Sequence, residues 1–177
     1  MSWRRRDILA LIGVSLLGGC GFEPLYGHRA QSNSAPAQFS QIALGPIDGR
    51  AGHHLRNYLI DRFSARGGTR KKTYRLEIAL TERKDGLAIR QDESVTRFNY
   101  RLLGGIRLIR IQDQAILYET SLRVTSAFNV VDSEFATLSA ERDAEERAAR
   151  ELSDEVVTRL ALYFQRSAEQ PPAKGPA

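Results

Sequence analysis

The spacing of apolar residues changes in the last third of the chain, and this change limits the folds open to it. From Thr73 to Thr81 every second residue is apolar, which predicts a strand with one buried face. The same alternation returns in two later stretches and ends near Val124, as expected for further strands. From about Glu134 to Arg166 the apolar residues are instead three and four apart, which predicts one long amphipathic helix. Its apolar stripe consists of Ala149, Leu152, Val156, Leu160 and Tyr163.

Two shorter elements are predicted before these strands. Phe39 to Leu44 is a short alternating run that Gly45-Pro46 interrupts, which predicts a first strand. Asp48 can cap a helix that starts near Arg50, and Gly67-Gly68 is expected to end that helix. The predicted order of elements is therefore β-α-β-β-β-α.

Turn signals separate the later strands. Glu82 to Gly86 is polar and predicts a turn, whereas Gly104-Gly105 lies within a strand and predicts a bulge or bend. Strands that follow one another through short turns usually pair antiparallel. We therefore expect an α+β fold, with a four-stranded, mostly antiparallel sheet and two helices packed on one of its faces.

The N-terminal segment has the parts of a secretory signal peptide. Arg4 to Arg6 are basic, and the apolar run that follows is about ten residues long, too short for the roughly 20 residues that span a bilayer. Leu17-Gly18-Gly19-Cys20 resembles the bacterial lipobox, in which the peptide is cut before the cysteine and the thiol and new amine receive acyl chains such as palmitate. The alternative is a buried free cysteine at the end of a core helix.

This interpretation divides the chain into four parts. Residues 1–19 are the predicted signal peptide, cut between Gly19 and Cys20, and residues 20–38 form a lipidated leader. Residues 39–166 are the folded domain, and residues 167–177, rich in proline, are a disordered tail. Removal of the signal peptide, with its three arginines and one aspartate, lowers the formal net charge from +5 to about +3. So small an excess of positive charge gives no reason to expect a nucleic-acid partner. Whether export uses a plain basic signal or a twin-arginine signal around Arg5-Arg6 stays open, with the plain signal favoured.

The sequence contains no recognisable catalytic constellation, so we expect a protein that is not an enzyme and binds no cofactor. The histidines are His28, His53 and His54, and the two adjacent ones point about 100° apart on a helix, which does not suit a shared metal. Cys20 is the only cysteine, so the secreted fold has no internal disulfide. A lipid-anchored hydrolase would need a convergent polar pocket with a perturbed acid or base.

Several motifs together resemble the LptE family of lipopolysaccharide-assembly lipoproteins, in its alphaproteobacterial form. The first is Gly19-Cys20-Gly21-Phe22 followed by Pro24-Leu25-Tyr26-Gly27, and the second is Asp48-Gly49-Arg50-Ala51-Gly52 with Leu55-Arg56-Asn57. The longest motif runs from Ala127 to Leu138 and continues from Ala140 to Ala148. The resemblance covers nearly all of the chain from Cys20 to about Phe164.

The resemblance implies a fold, a place and a role. Members of this family are lipoproteins at the inner leaflet of the outer membrane, on its periplasmic side, and Gly21 after the lipidated cysteine agrees with that address. They lodge inside the large β-barrel protein LptD as a plug, assist its assembly and help deliver lipopolysaccharide to the outer leaflet. Their fold is two helices on a four-stranded sheet, and they are not enzymes. The alternative is another periplasmic lipid-binding or transport-accessory lipoprotein, which would need a lipid-sized apolar cavity.

One face of the predicted sheet is polar and carries two of the candidate contact residues, Arg97 and Arg101. Its members are Arg75, Glu77, Thr81, Arg97, Asn99, Arg101, Arg107, Glu119 and Arg123. Guanidinium groups bind phosphates and carboxylates in pairs of hydrogen bonds, so arginines here could meet the phosphates of lipid A or acidic loops of the barrel. The candidate contacts with lipopolysaccharide or the barrel are Arg83, Lys84, Lys71, Lys72, Arg97 and Arg101. The alternative is an ordinary solvated sheet face.

Overall fold

The computed structural model describes residues 38–64, 71–89, 95–131 and 133–169, which fold into four strands and two helices. The strands are β1 (Ile42–Leu44), β2 (Tyr74–Ile89), β3 (Val95–Arg110) and β4 (Ile116–Asn129), and the helices are α1 (Gly49–Ser64) and α2 (Glu134–Glu169). Their order is β-α-β-β-β-α, as predicted. The predicted signal peptide, the cleavage and lipidation site Gly19-Cys20, the leader as far as residue 37, the glycine pair Gly67-Gly68 and residues 170–177 lie outside the described residues.

The four strands form one mixed sheet in the order β1-β2-β3-β4. β1 runs parallel to β2, with Ile42 opposite Tyr74, and the crossover between them is α1. The β2–β3 and β3–β4 pairs are antiparallel. The sheet is therefore mostly antiparallel, with both helices on one face, which confirms the predicted α+β fold class. Among the described helices, none has both the length and the apolar character needed to span a membrane.

β2 is longer than the sequence predicts, and the turn expected from Glu82 to Gly86 is wrong. The strand continues to Ile89, and Lys84 lies opposite Tyr100 in an unbroken ladder. Apolar and polar residues stop alternating at this point because charged residues occupy the positions of β2 that face the helices. Lys84, for example, faces α2, where its ammonium group donates to Glu141 instead of packing against hydrocarbon.

The first strand is shorter than predicted, because Phe39 packs into the core from a helical turn and not from the strand. Phe39 lies in a helical turn before β1 and is buried. Its ring stacks on Phe63 at 5.4 Å between centroids and meets the edge of Phe164 at 6.1 Å. The ends of α1 and α2 are thereby joined to the start of the domain.

The core lies between the sheet and the two helices. Even-numbered residues of β2, β3 and β4 face the helices, and Tyr100, Leu102 and Leu108 are fully buried there. The predicted stripe of α2 is confirmed, since Ala149, Leu152, Val156 and Leu160 have no exposed surface, and Tyr163 packs against the core at its edge. α1 lies beside α2 and runs in the same direction, with Arg50 paired to Glu145 and Arg62 to Asp154.

The expected bulge at Gly104-Gly105 is wrong, because β3 pairs there in continuous register with both neighbouring strands. Gly104 is explained instead by its packing against α2. A Cβ atom on Gly104 would lie 3.2 Å from Cδ2 of Leu152. The glycine thus lets α2 approach the middle of the sheet. The register shifts instead lie between Gly86 and Ile89 and at Leu108/Ile109.

Candidate functional site

The face of the sheet that points away from the helices carries the odd-numbered residues of β2, β3 and β4, and we call it the outer face. Two ends define its directions. The base is the end where β2 begins and β3 ends, and the tip is the end with the β2–β3 hairpin and the start of α2. Charged side chains are distributed unequally between the two halves of the outer face.

In the tip half of the outer face, arginines outnumber the carboxylates among the described residues. Arg83 of β2 lies directly opposite Arg101 of β3, and Arg101 lies opposite Thr125 of β4. Directly opposed side chains in an antiparallel pair have Cβ atoms about 4.5–5.5 Å apart, and like charges there destabilise the sheet. The fold therefore gains nothing in stability from opposing Arg83 and Arg101.

Two further arginines extend this cluster. Arg97 lies on the same face opposite Asn129, and Arg123 lies one same-face position from Thr125, the partner of Arg101. We call the set Arg83, Arg97, Arg101 and Arg123 the arginine face. Among the described outer-face residues of this half, Asp85 is the only acid, with Oδ2 3.0 Å from Nη1 of Arg101. One carboxylate faces four guanidinium groups, so the half is net positive.

Toward the base, the same face is electrically balanced. Glu77, Arg107 and Glu119 lie in one row across the three strands. Nε of Arg107 is 3.1 Å from Oε1 of Glu119, and Nε of Arg75 is 3.0 Å from Oε1 of Glu77. The guanidinium groups of these arginines are already paired with carboxylates, so they are less available to bind an external anion.

The structure separates the six candidate contact residues into three places. Arg83, Arg97 and Arg101 share the arginine face. Alternation predicts that place for Arg97 and Arg101, whereas Arg83 joins them because β2 continues through the turn expected from Glu82 to Gly86. Lys84 is on the opposite face of β2, paired with Glu141 of α2. Lys71 and Lys72 lie at the base, where Nζ of Lys72 donates to the carbonyl oxygen of Ser40 at 3.0 Å. Arg123 belongs with the first group, and the alternation of β4 was the signal that could have added it.

Behind the arginine face, a part-buried ion pair joins α1 to α2. Nε and Nη2 of Arg50 donate to the two carboxylate oxygens of Glu145 at 2.6 and 2.7 Å, and only 4% of the Glu145 side chain is exposed. The hydrogen bonds that Arg50 donates to Glu145 raise the pKa of Arg50 above its ordinary value. Burial, with Glu82 nearby, raises the pKa of Tyr100 far above its ordinary range, so its hydroxyl stays neutral. The ion pair thus connects the two helices, and Tyr100 fills the core beneath them.

A second polar cluster joins the helices on their solvent side. The hydroxyl of Tyr58 donates to Oε1 of Glu146 at 2.6 Å and accepts from Nη2 of Arg150 at 3.2 Å. The hydrogen bond from Tyr58 lowers the pKa of Glu146. His53 and His54 lie nearby with ring centroids 6.3 Å apart, and the described residues contain no group of three or more potential ligands for a metal. The cluster joins the two helices on their solvent side.

A shallow groove of about 230 Å³ crosses the base half of the outer face. Its floor is made of Ala79, Gly105 and Ser121, which lie in register on three strands. The charged row of Glu77, Arg107 and Glu119 borders it. A groove that is open to solvent and edged by charges does not match the enclosed apolar cavity expected of a lipid carrier.

Comparison with known proteins agrees with this architecture. A family model described as LptE, lipopolysaccharide-assembly, matches residues 39–160. No curated protein sequence matches the chain.

Solved structures share the fold. A protein from Caulobacter crescentus CB15 described as a lipoprotein superposes with a TM-score of 0.61 at 24% identity, covering 76% of this chain and 98% of its own. Rare lipoprotein B from Shewanella oneidensis superposes with a TM-score of 0.55 at 8% identity, covering 73% and 99%. Lipoprotein B from Nitrosomonas europaea gives 0.53 at 14% identity, covering 72% and 84%. The family match spans more than half of the chain, which therefore belongs to the LptE family of lipopolysaccharide-assembly lipoproteins.

Proposed function

We propose that the chain is a lipid-anchored subunit of the outer-membrane lipopolysaccharide translocon, without catalytic activity and without a cofactor. In this role it sits within an LptD-like β-barrel, assists the assembly of that barrel and helps deliver lipopolysaccharide to the outer leaflet. The observation that carries the proposal is the arginine face, a net positive surface on a rigid sheet in a chain of the LptE family.

The chemistry of the arginine face suits lipopolysaccharide. Lipid A carries phosphate groups, and a guanidinium group binds phosphate with two parallel hydrogen bonds. An anion between Arg83 and Arg101 would offset the repulsion that their opposed positions create. The functional ligand would thus supply the negative charge that the strand pairing lacks.

The shape of the domain suits a plug. The lumen of a membrane β-barrel is polar, so a protein inside it needs polar surfaces over a filled core. The outer face is polar along most of its length, and the part-buried ion pair of Arg50 and Glu145 joins the two helices behind it. Such a body keeps its shape while lipid passes beside it.

The N-terminal part of the proposal is an anchor. Cleavage between Gly19 and Cys20 and acylation of Cys20 would place the domain on the periplasmic side of the outer membrane. Two or three acyl chains give stable attachment, whereas a single chain is marginal.

Binding of lipopolysaccharide by matched double variants tests the role of the arginine face. Arg83→Gln with Arg97→Gln removes two charges from the tip half, and Arg75→Gln with Arg107→Gln removes two from the base half. We expect the first pair to weaken binding of purified lipopolysaccharide about tenfold, or ~1.4 kcal/mol, and the second to change it little. Lys84→Gln should also leave binding unchanged, because Lys84 faces α2. An equal loss of binding in the two double variants would contradict a specific role of the arginine face and would mean that only general surface charge matters.

A further inference from the structure

The tip of the domain carries most of the exposed large apolar side chains of the described residues. We call this group the apolar tip, and its members are Leu87 of β2, Val131 just after β4, and Phe135 and Leu138 of α2, which are 54%, 49%, 78% and 40% exposed. An exposed apolar cluster with polar residues around it is typical of a binding surface. In the polar lumen proposed for the domain, these side chains would need an apolar partner.

Hydrogen bonds hold the backbone that carries the apolar tip. The N–H of Val131 donates to Oγ1 of Thr137 at 3.1 Å, and this hydroxyl donates to the carbonyl oxygen of Val131 at 3.1 Å. The N–H of Thr137 donates to the carbonyl oxygen of Ser133 at 3.0 Å, at the start of α2. Phe135 and Leu138 are three residues apart on α2, so they lie on one side of the helix. The exposed side chains thus belong to an ordered part of the fold.

The apolar tip adjoins the arginine face. Leu87 immediately precedes Ala88, which lies opposite Arg97 of β3. On the other side of β3, Asn129 lies opposite Arg97. Val131 follows Asn129 by two residues, which is at most about 7 Å along the chain. Positive charge and apolar surface therefore meet at Arg97.

A ligand that covers both surfaces must carry anionic groups and hydrocarbon in one molecule. Arg101 and Arg97 are four residues apart on β3, or roughly 13 Å, so the arginine face offers more than one place for an anionic group. Lipid A has anionic groups at both ends of its sugar backbone and several acyl chains attached to it. A phospholipid has a single phosphate and leaves part of the arginine face without a partner. The two adjoining surfaces therefore fit lipid A better than a phospholipid.

We propose that the apolar tip binds acyl chains of lipopolysaccharide while the arginine face binds the anionic groups of the same molecule. This inference rests on the proposed function, because it extends the proposed lipopolysaccharide site from the arginine face to the end of the domain. The sugar backbone of lipid A would lie over Arg101 and Arg97, and its acyl chains would extend past the ends of the strands. The apolar tip is an open surface, so it would contact the chains without enclosing them, and the lipid could leave again.

Ligands with and without acyl chains test this division of the site. The probes are purified lipopolysaccharide and the same material after alkaline removal of its acyl chains. Each is bound to the full-length protein, extracted from membranes, at one fixed detergent concentration. The tip variant is Val131→Ser with Phe135→Ser, and the matched base variant is Ile111→Ser with Ile116→Ser. All four side chains are exposed, so both variants should fold like the parent, which circular dichroism checks.

We expect the tip variant to bind lipopolysaccharide about tenfold more weakly than the parent, because buried apolar side chains contribute about that much to binding. The base variant should bind it like the parent. Without acyl chains the ligand should bind the tip variant and the parent equally, whereas Arg83→Gln with Arg97→Gln should weaken binding of both ligands. Phosphatidylglycerol should displace lipopolysaccharide from the parent poorly.

Lipopolysaccharide binding that is unchanged in the tip variant, or equally weakened in the tip and base variants, would overturn the role of the apolar tip. The same holds if the tip variant binds lipopolysaccharide normally but no longer co-purifies with a β-barrel, since the apolar tip would then contact protein. Equal displacement by phosphatidylglycerol would overturn the assignment to lipid A. In each of these cases, weaker binding by Arg83→Gln with Arg97→Gln would leave the proposed function standing. A parent protein that binds no lipopolysaccharide would overturn both.

Discussion

At the scale of single residues, glycines with the same lack of a side chain have different roles. Gly52 in α1 has no room for a methyl group, because a Cβ atom there would lie 2.8 Å from the carbonyl oxygen of Ile47. Gly105 faces the open groove, and the nearest atom to its Cβ position, the carbonyl oxygen of Ala79, is 3.9 Å away. The sequence shows both as glycines, so only the packing around them separates their roles.

Alanine at these two positions should therefore have opposite results. Gly52→Ala is expected to lower the free energy of unfolding by about 1–3 kcal/mol, since the clash with backbone outweighs the better helix propensity of alanine. Gly105→Ala should leave it unchanged or raise it slightly. Urea denaturation followed by circular dichroism measures both, and a Gly52→Ala variant as stable as the parent would contradict the packing of α1 against the β1–α1 loop.

The ion pair of Arg50 and Glu145 is expected to matter far more than ion pairs on the outer face. Arg50→Ala leaves a carboxylate that is almost fully buried without its partner, which should cost about 3–5 kcal/mol of unfolding free energy. Arg107→Ala breaks an exposed pair with Glu119 and should cost no more than about 1 kcal/mol. Comparable losses in denaturation experiments would mean that Glu145 is hydrated in solution.

At the scale of elements, alternation and helical spacing predicted most of the fold. The stripe of α2 and the two faces of β2, β3 and β4 follow from the sequence, because burial there depends on side-chain period alone. Two of the errors arose where contacts between distant residues dominate. Phe39 completes an aromatic cluster with residues far along the chain, and Lys84 replaces an apolar side chain because Glu141 lies above it. Partners distant in sequence cannot be read from local spacing.

The continuation of β2 through the expected turn can be tested by amide hydrogen exchange. Thr81, Glu82 and Lys84 pair with β3, so the ladder-bonded amides of this stretch should exchange as slowly as those nearer the base. The amides near Gly86 and Ala88, where the register shifts, serve as an internal reference and should exchange faster. Rapid exchange of the amides throughout residues 81–85 would contradict the continuous strand and support the turn predicted from the sequence.

The candidate site was predictable in part for the same reason. Alternation placed Arg97 and Arg101 on one face, but Arg83 was expected in a turn, and strand register decides which arginines lie opposite one another and which have carboxylate partners. Register is set by pairing between strands, which the local sequence does not contain. The separation of a net positive tip half from a balanced base half was therefore visible only in the folded sheet.

At the scale of the whole molecule, the two ends of the domain carry different features. The described domain begins at the base, where Thr73 donates to Gln41, the arginine face lies toward the tip, and a balanced stretch of sheet separates them. Cys20→Ala should prevent acylation, so the variant should remain unprocessed or appear in the soluble fraction. Membrane fractionation with mass spectrometry of the N-terminus measures this, and an unchanged distribution would contradict the lipid anchor.

Membership of the translocon is the central claim, and co-purification from native outer membranes tests it most directly. A tag after Ala177 would retrieve the protein from detergent-solubilised membranes, with the Cys20→Ala variant as the control that lacks the anchor. We predict recovery of an LptD-like β-barrel in stoichiometric amount together with lipopolysaccharide. Recovery of the anchored, folded protein without any such barrel would contradict the proposed function.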